Sequence, residues 1–218
     1  MPGFWGLTLL LGYQASLWQQ TSQKRANHNS SRAVTRWLTG SGIVVVCLLL
    51  VGLLHVTGGI LQKPGQYSLG GGFWPAKDDT STEIVDIRQL RQGFSESPVL
   101  QAALQESSFV FTNTYLLGGQ IGMALAPLSK TPVTCFDQDL RGFAFWSRPD
   151  QWLGQDALYI TSEYFAGDLP AVARYGTYFD SIQPIGEVPI RRGGVVTQVF
   201  QVYQAKRLLQ PYPRPYGM

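Results

Sequence analysis

Residues 41–61, SGIVVVCLLLVGLLHVTGGIL, run for 21 positions without an acid, a lysine or an arginine. At about 1.5 Å per residue, a helix of this length reaches about 31 Å, the thickness of a bilayer hydrocarbon core. Helices of soluble proteins turn one face to water, and this run has no polar face to turn. It predicts a membrane-spanning helix over residues 40–61. His55 lies inside it, and an ionisable side chain within a span is a functional hint by default. The plainer reading of His55 is a ring near the head groups or packed on a neighbouring helix.

Residues 3–18, GFWGLTLLLGYQASLW, are also uncharged. A signal peptide would carry a basic stretch before the apolar run and small residues at a cleavage site, and neither is present. The spacing predicts another spanning helix over residues 1–18, with Trp5 and Trp18 placed for the interfacial aromatic belts. Residues 19–39 hold Lys24, Arg25, Arg32 and Arg36 and no acid. Short basic loops stay in the cytoplasm, so residues 62–218 are expected outside it. The basic loop is explained by anionic lipid head groups without invoking nucleic acid. Asn29-Ser30-Ser31 matches a glycosylation sequon, but this topology puts it on the wrong side of the membrane.

The rest of the chain has a different composition. All 14 acidic residues follow Lys63, and the net charge of +3 is an average over two unlike parts. Residues 62–82 are rich in Gly, Pro and polar residues and read as a linker. Gly70-Gly71-Gly72 within it is not preceded by a strand, as a phosphate loop would be. Residues 83–208 are long enough for one domain with its own core. Ile84, Ile87, Leu90 and Phe94 have helical spacing, and Ser97-Pro98 starts a second helix with a Ser cap and Pro at its first position. Residues 114–125 predict a helix capped by Thr112 or Asn113, and residues 169–179 another, capped by Asp168. Short strands are expected at 109–111, 133–136, 157–161 and 187–190, and a final alternating strand at 195–203. This order predicts a small α/β sheet covered by helices. The fold class is thus α/β, with two N-terminal transmembrane helices followed by a small extracytoplasmic α/β domain. Residues 209–218 read as a loose Pro-rich tail.

Chemistry is sparse. The only histidines are His28 and His55, so residues 62–218 contain no Ser-His or Cys-His pair and no His-based metal site. Cys47 and Cys135 fall on different parts of the chain, and no disulfide is expected. Gly118, Gly119 and Gly122 do not have dinucleotide-turn spacing and are read as close packing of a helix on the sheet. The densest segment is 134–152, TCFDQDLRGFAFWSRPDQW. It follows a strand, where α/β folds place their sites. Asp137-Gln138-Asp139 is a D-x-D, a pattern that can hold a divalent metal through hard carboxylate oxygens. Acids at this spacing are common in loops, and an Asp–Arg pair fixing the loop among its aromatics is the favoured reading. No cofactor is expected.

Four segments, residues 74–94, 109–125, 132–146 and 154–161, together resemble in order the C-terminal region of bacterial family 39 glycosyltransferases, the protein-mannosyltransferase-like and aminoarabinose-transferase-like membrane enzymes. The pieces that carry the resemblance are Phe111-Thr112-Asn113, the Tyr115–Gln120 helix start, Arg141-Gly142-Phe143-Ala144-Phe145-Trp146 and Gly154-Gln155-Asp156-Ala157. The resemblance implies a GT-C architecture in a bacterial plasma membrane, with many spanning helices before a small extracytoplasmic α/β domain. It also implies sugar transfer from a polyprenyl-phosphate carrier to an acceptor. The family's catalytic Asp lies in an early extracytoplasmic loop that no residue here matches. The chain is therefore expected not to catalyse by itself and to need a partner chain supplying the missing N-terminal helices. Candidate contacts for substrate or partner are Asn113, Tyr115, Asp137, Asp139, Arg141, Phe143 and Trp146. The alternative is a membrane-anchored, non-catalytic binding or scaffold module.

Overall fold

A computed structural model describes residues 12–17, 20, 28–63, 65–83, 87–148, 150–165, 171–214 and 216. The chain divides into two compact units, Met1–Leu54 and His55–Met218.

The first unit is dominated by helix α1, His28–Gly58, whose last turn from His55 belongs to the second unit. Its stretch Val34–Gly58 is long and apolar enough to cross a membrane. At about 1.5 Å per residue this stretch measures about 37 Å. Within it Ile43, Leu48, Leu49 and Leu53 are all more than half exposed. Apolar side chains on every side of one helix require an apolar cover. The span expected over residues 1–18 lies largely outside the described residues, of which 12–17 are helical.

The second unit is an α/β fold around a five-stranded mixed sheet. After two short strands, β1 (Gln62–Lys63) and β2 (Trp74–Pro75), come helices α2 (Ile87–Glu96) and α3 (Pro98–Glu106). Then follow β3 (Phe109–Thr112), α4 (Tyr115–Leu125), β4 (Val133–Cys135), α5 (Phe143–Trp146) and β5 (Ala157–Ser162). A short helix α6 (Ala171–Tyr175) leads to the long strands β6 (Phe179–Arg192) and β7 (Val195–Leu208). The sheet order is β4-β3-β5-β7-β6. Strand β3 pairs parallel with β4 and β5, and β7 pairs antiparallel with β5 and β6.

Alternation along the strands sorts two cores. Val110, Leu158, Ile160, Phe200 and Val202 face helices α2, α3 and α4 and pack with Leu90, Phe94, Leu117 and Ile121. Phe109, Phe111 and Tyr159 point the other way into an aromatic layer with Phe136, Trp152, Tyr175 and Phe179. There Phe111 stacks on Phe136, Tyr159 and Phe179 at 4.5, 4.9 and 5.2 Å between ring centroids. Ser97 caps α3 as its sequence predicts, its side chain accepting from the Leu100 N–H. Arg91 Nε and Nη2 donate to the carbonyls of Ala124 and Met123 and satisfy the end of α4.

Four sequence expectations change. The strand expected at 187–190 is a 14-residue edge strand, β6, that tolerates Pro184 and Pro189 because the edge lacks a neighbour on one side. The helix expected at 169–179 ends at Tyr175, because Phe179 already pairs with Leu208 in the sheet, and its expected cap Asp168 lies outside the described residues. The N-cap of α4 is Thr114, not Thr112 or Asn113. The tail is held down: Tyr212 stacks on Phe136 at 4.8 Å, and Arg214 donates to the Ala144 and Ser147 carbonyls that end α5. The β6–β7 hairpin closes through Gly193-Gly194, both at positive φ, as a two-residue turn between long twisted strands requires.

Candidate functional site

The parallel strands β3 and β4 deliver their carboxyl ends to the segment 136–147, with α4 starting beside it. Tyr115 is the first residue of α4, and the Arg141 guanidinium lies 4.8 Å from the centre of its ring. Arg141 Nε donates to both Asp139 oxygens, at 3.0 and 3.1 Å. The Tyr216 hydroxyl closes the set. It accepts from the Arg141 backbone N–H at 2.8 Å and donates to Asp139 at 3.0 Å. The Arg141 bond leads in holding the Asp139 carboxyl below the usual carboxylate range, and Tyr216 adds to it. Arg141 sits at φ 49°. A left-handed backbone at a side-chain-bearing residue costs on the order of 1–2 kcal/mol, and such strain collects at functional positions.

Phe143 and Trp146 start together on α5 and part in role. Phe143 is buried with Cys135, Leu140 and Ala144, against the face of Gly118. Trp146 is 75 % exposed and Phe145 71 % exposed. The structure therefore brings Tyr115, Asp139, Arg141 and Trp146 to one surface, with an ionic polar group beside open aromatic faces.

The other two candidates, Asn113 and Asp137, have contacts within the fold. Asn113 is buried. Its amide donates to the Phe165 carbonyl and its oxygen accepts from Thr161 Oγ1 at 3.0 Å, which ties the end of β3 to the turn after β5. Asp137 accepts from the next backbone N–H, that of Gln138. Among the described residues no group of three or more His, Cys, Asp or Glu gathers to hold a metal. In the motif Gly154–Ala157, Asp156 takes Lys206 Nζ at 2.8 Å and the Arg207 N–H at 2.9 Å, anchoring β5 to β7. Burial, with the charge of Asp137, pushes the Cys135 thiol up to about 12. A thiol held that far from its thiolate is no nucleophile.

A second constellation was not assembled by the sequence reading. The segment 62–82, expected as a linker, carries the parallel pair β1–β2 and three 3-10 turns. It delivers Asp79 to His55 and Arg192. Asp79 Oδ2 lies 3.0 Å from His55 Nε2 and 2.6 Å from Arg192 Nη2. Its Oδ1 accepts from both the N–H and the hydroxyl of Ser81, and Arg192 Nε reaches Gln62 Oε1. Burial pushes the Asp79 carboxyl up, but Ser81 and Arg192 outweigh it and hold the group below the usual carboxylate range. Beside this hub opens a cleft of about 390 Å³ lined by Thr57, Ser81, Arg88, Arg191, Arg192 and Thr197, among others. Two signals in the sequence pointed here: His55 at the end of an apolar run, and Asp79-Thr80-Ser81, which has the form of an Asx turn.

The fold and sites define a mixed α/β unit continuing from a helix long and apolar enough to cross a membrane. Comparison with protein-family models, with curated proteins and with solved structures returns no match.

Proposed function

We propose that the chain is the membrane-anchored C-terminal part of a glycosyltransferase that moves a sugar from a polyprenyl-phosphate carrier to an acceptor. Helix α1 is the anchor. The basic stretch holding Arg32 and Arg36 favours a cytoplasmic start and an extracytoplasmic α/β unit in a bacterial plasma membrane. The α/β unit holds lipid-linked sugar or acceptor, and the bond-making carboxylate comes from a partner carrying further helices. The resemblance of the segments around Asn113, Arg141 and Ala157 to family 39 glycosyltransferases motivates this reading. The observation that carries it is the surface where the Asp139–Arg141 pair, backed by Tyr115, lies beside exposed Phe145 and Trp146. Sugar hydroxyls take hydrogen bonds from such charged groups, and the apolar face of a pyranose packs on an aromatic ring.

The same exposed aromatic pair favours a second reading, a scaffold module that docks a protein partner without catalysis. One experiment separates the two. A photo-reactive residue replaces Trp146 in the full chain in native membranes, and the adduct is analysed. A lipid-linked sugar in the adduct supports the transferase reading. A protein without sugar transfer activity supports the scaffold, and the absence of any adduct sinks both.

A further inference from the structure

The face of the second unit around the end of α1 has three features that the sugar-transfer reading does not use. The first is the cleft. It gathers the guanidinium-bearing residues Arg88, Arg191 and Arg192 with the hydroxyl-bearing residues Thr57, Ser81 and Thr197, and none of its described lining residues is acidic. Arg192 is balanced by Asp79. Among the described residues no carboxylate pairs with Arg191, and Arg88, itself partnered, also lines the opening.

The second feature is an apolar loop. Tyr67, Leu69, Phe73 and Trp74 are each at least half exposed. The loop is tied to the residues that directly continue α1, since the N–H of Leu69 donates to the Ile60 carbonyl at 2.8 Å and that of Phe73 to the Leu61 carbonyl at 2.7 Å. The third is the hairpin tip. The N–H of Gln66 donates to the Gly193 carbonyl at 2.9 Å, so the loop also adjoins the β6–β7 turn that carries Arg191 and Arg192. Thr57 and Val56, on the last turn of α1, line the cleft themselves.

We propose that this cleft binds the phosphate group of an anionic membrane lipid, with the Tyr67–Trp74 loop seated among the head groups. A helix that spans a bilayer ends at the head-group layer. Aromatic side chains with polar atoms favour that layer, and guanidinium groups bind phosphate through paired N–H donors. Aromatic loop and cationic cleft meet at the residues that leave the helix, which is where a lipid phosphate lies. The exposed loop favours a lipid over free phosphate, since a soluble anion has no use for four open apolar side chains.

The proposal rests on α1 as a membrane anchor and not on sugar transfer. The test uses the full chain in a neutral detergent, with bound lipid counted by native mass spectrometry. Phosphatidylglycerol and phosphatidylcholine are the probes. Wild-type chain is expected to hold phosphatidylglycerol about tenfold more tightly than phosphatidylcholine, and high salt narrows the gap. The R88Q/R191Q variant, with an unchanged thermal melt, is expected to hold both alike. Equal affinity of the wild-type chain for the two lipids overturns the proposal without any variant. So does a preference that survives in R88Q/R191Q. Displacement of phosphatidylglycerol by excess inorganic phosphate also overturns it, by making the cleft a site for free phosphate. Release of the chain from native membranes by alkaline carbonate would instead remove the anchor, a separate failure.

Discussion

His55 Nε2 lies 3.0 Å from Asp79 Oδ2, and both side chains are buried. The Leu61 N–H donates to the other ring nitrogen, Nδ1, at 3.3 Å, so the ring proton is on Nε2 and is donated to the carboxylate. A histidine at the end of an apolar helix is thereby satisfied by an acid from a segment with the composition of a linker. Arg192 shares the same carboxylate oxygen. The three residues join the last turn of α1, the 3-10 turns and the hairpin tip into one folded unit.

Removing the charge of Asp79 leaves the part-buried Arg192 without its counter-ion. Asp79→Asn is expected to lower the stability of the second unit by about 3 kcal/mol, the lower end for breaking a buried pair. The pH dependence follows from the depressed carboxyl. Its contribution is complete above the unfolded value of about 3.9 and drains away as pH falls through the lower folded value. Thermal melts of the full chain in detergent, followed by near-ultraviolet circular dichroism, should lose stability below about pH 4 more steeply in wild type than in the variant. Parallel profiles would show that Asp79 carries no such contribution.

Gly93 on α2 faces Val188 on β6, and a Cβ at that position would stand 2.4 Å from Val188 Cγ1. Gly93→Ala is expected to destabilise by about 1–3 kcal/mol through overpacking, although alanine is the better helix former. The double variant G93A/V188A should recover part of that loss relative to the sum of the single changes. Strictly additive effects in the melts would mean that α2 does not rest on β6 at this point.

Phe143 and Trp146 are close neighbours on one short helix, with ring centroids 4.9 Å apart, yet they should respond in opposite ways. Phe143→Ala empties a buried position and is expected to cost about 3–5 kcal/mol. Trp146→Ala should cost about 1 kcal/mol or less, because its ring is mostly in solvent. Equal losses would make Trp146 a packing residue and remove it from the candidate site.

The Cys135 thiol is buried and its ionisation is pushed up to about 12. In the Cys47→Ser background it should resist a charged alkylating reagent at neutral pH and react only on unfolding. Mass spectrometry of the intact chain reads this directly. Rapid alkylation of the folded chain would contradict the packing of Cys135 against Leu140 and Phe143.

The sequence carried those features that local physics sets. Strands β3 and β5 are short apolar runs buried on both faces, and the Ser97-Pro98 start of α3 is a local capping rule. Strand β6 was hidden because Pro184, Gly186 and Pro189 read as turn residues, and only its edge position makes them tolerable. The Asp79–Arg192 contact spans 113 positions, so no local pattern could announce it. The Tyr216 contact to Asp139 crosses 77 positions in the same way and turned an apparently loose tail into part of the candidate site. Asn113 was picked out because Phe111-Thr112-Asn113 carries part of the family resemblance, but its burial and its partners Thr161 and Phe165 are tertiary facts.

Binding of a short-chain polyprenyl-phosphate sugar to the full chain in detergent tests the central claim most directly. Wild-type chain should bind it saturably, and Arg141→Ala and Trp146→Ala should each weaken binding at least about tenfold, an interaction loss of about 1.4 kcal/mol, with melts close to wild type. No saturable binding by the wild-type chain, or binding that both substitutions leave unchanged, would contradict a role in holding the lipid-linked sugar.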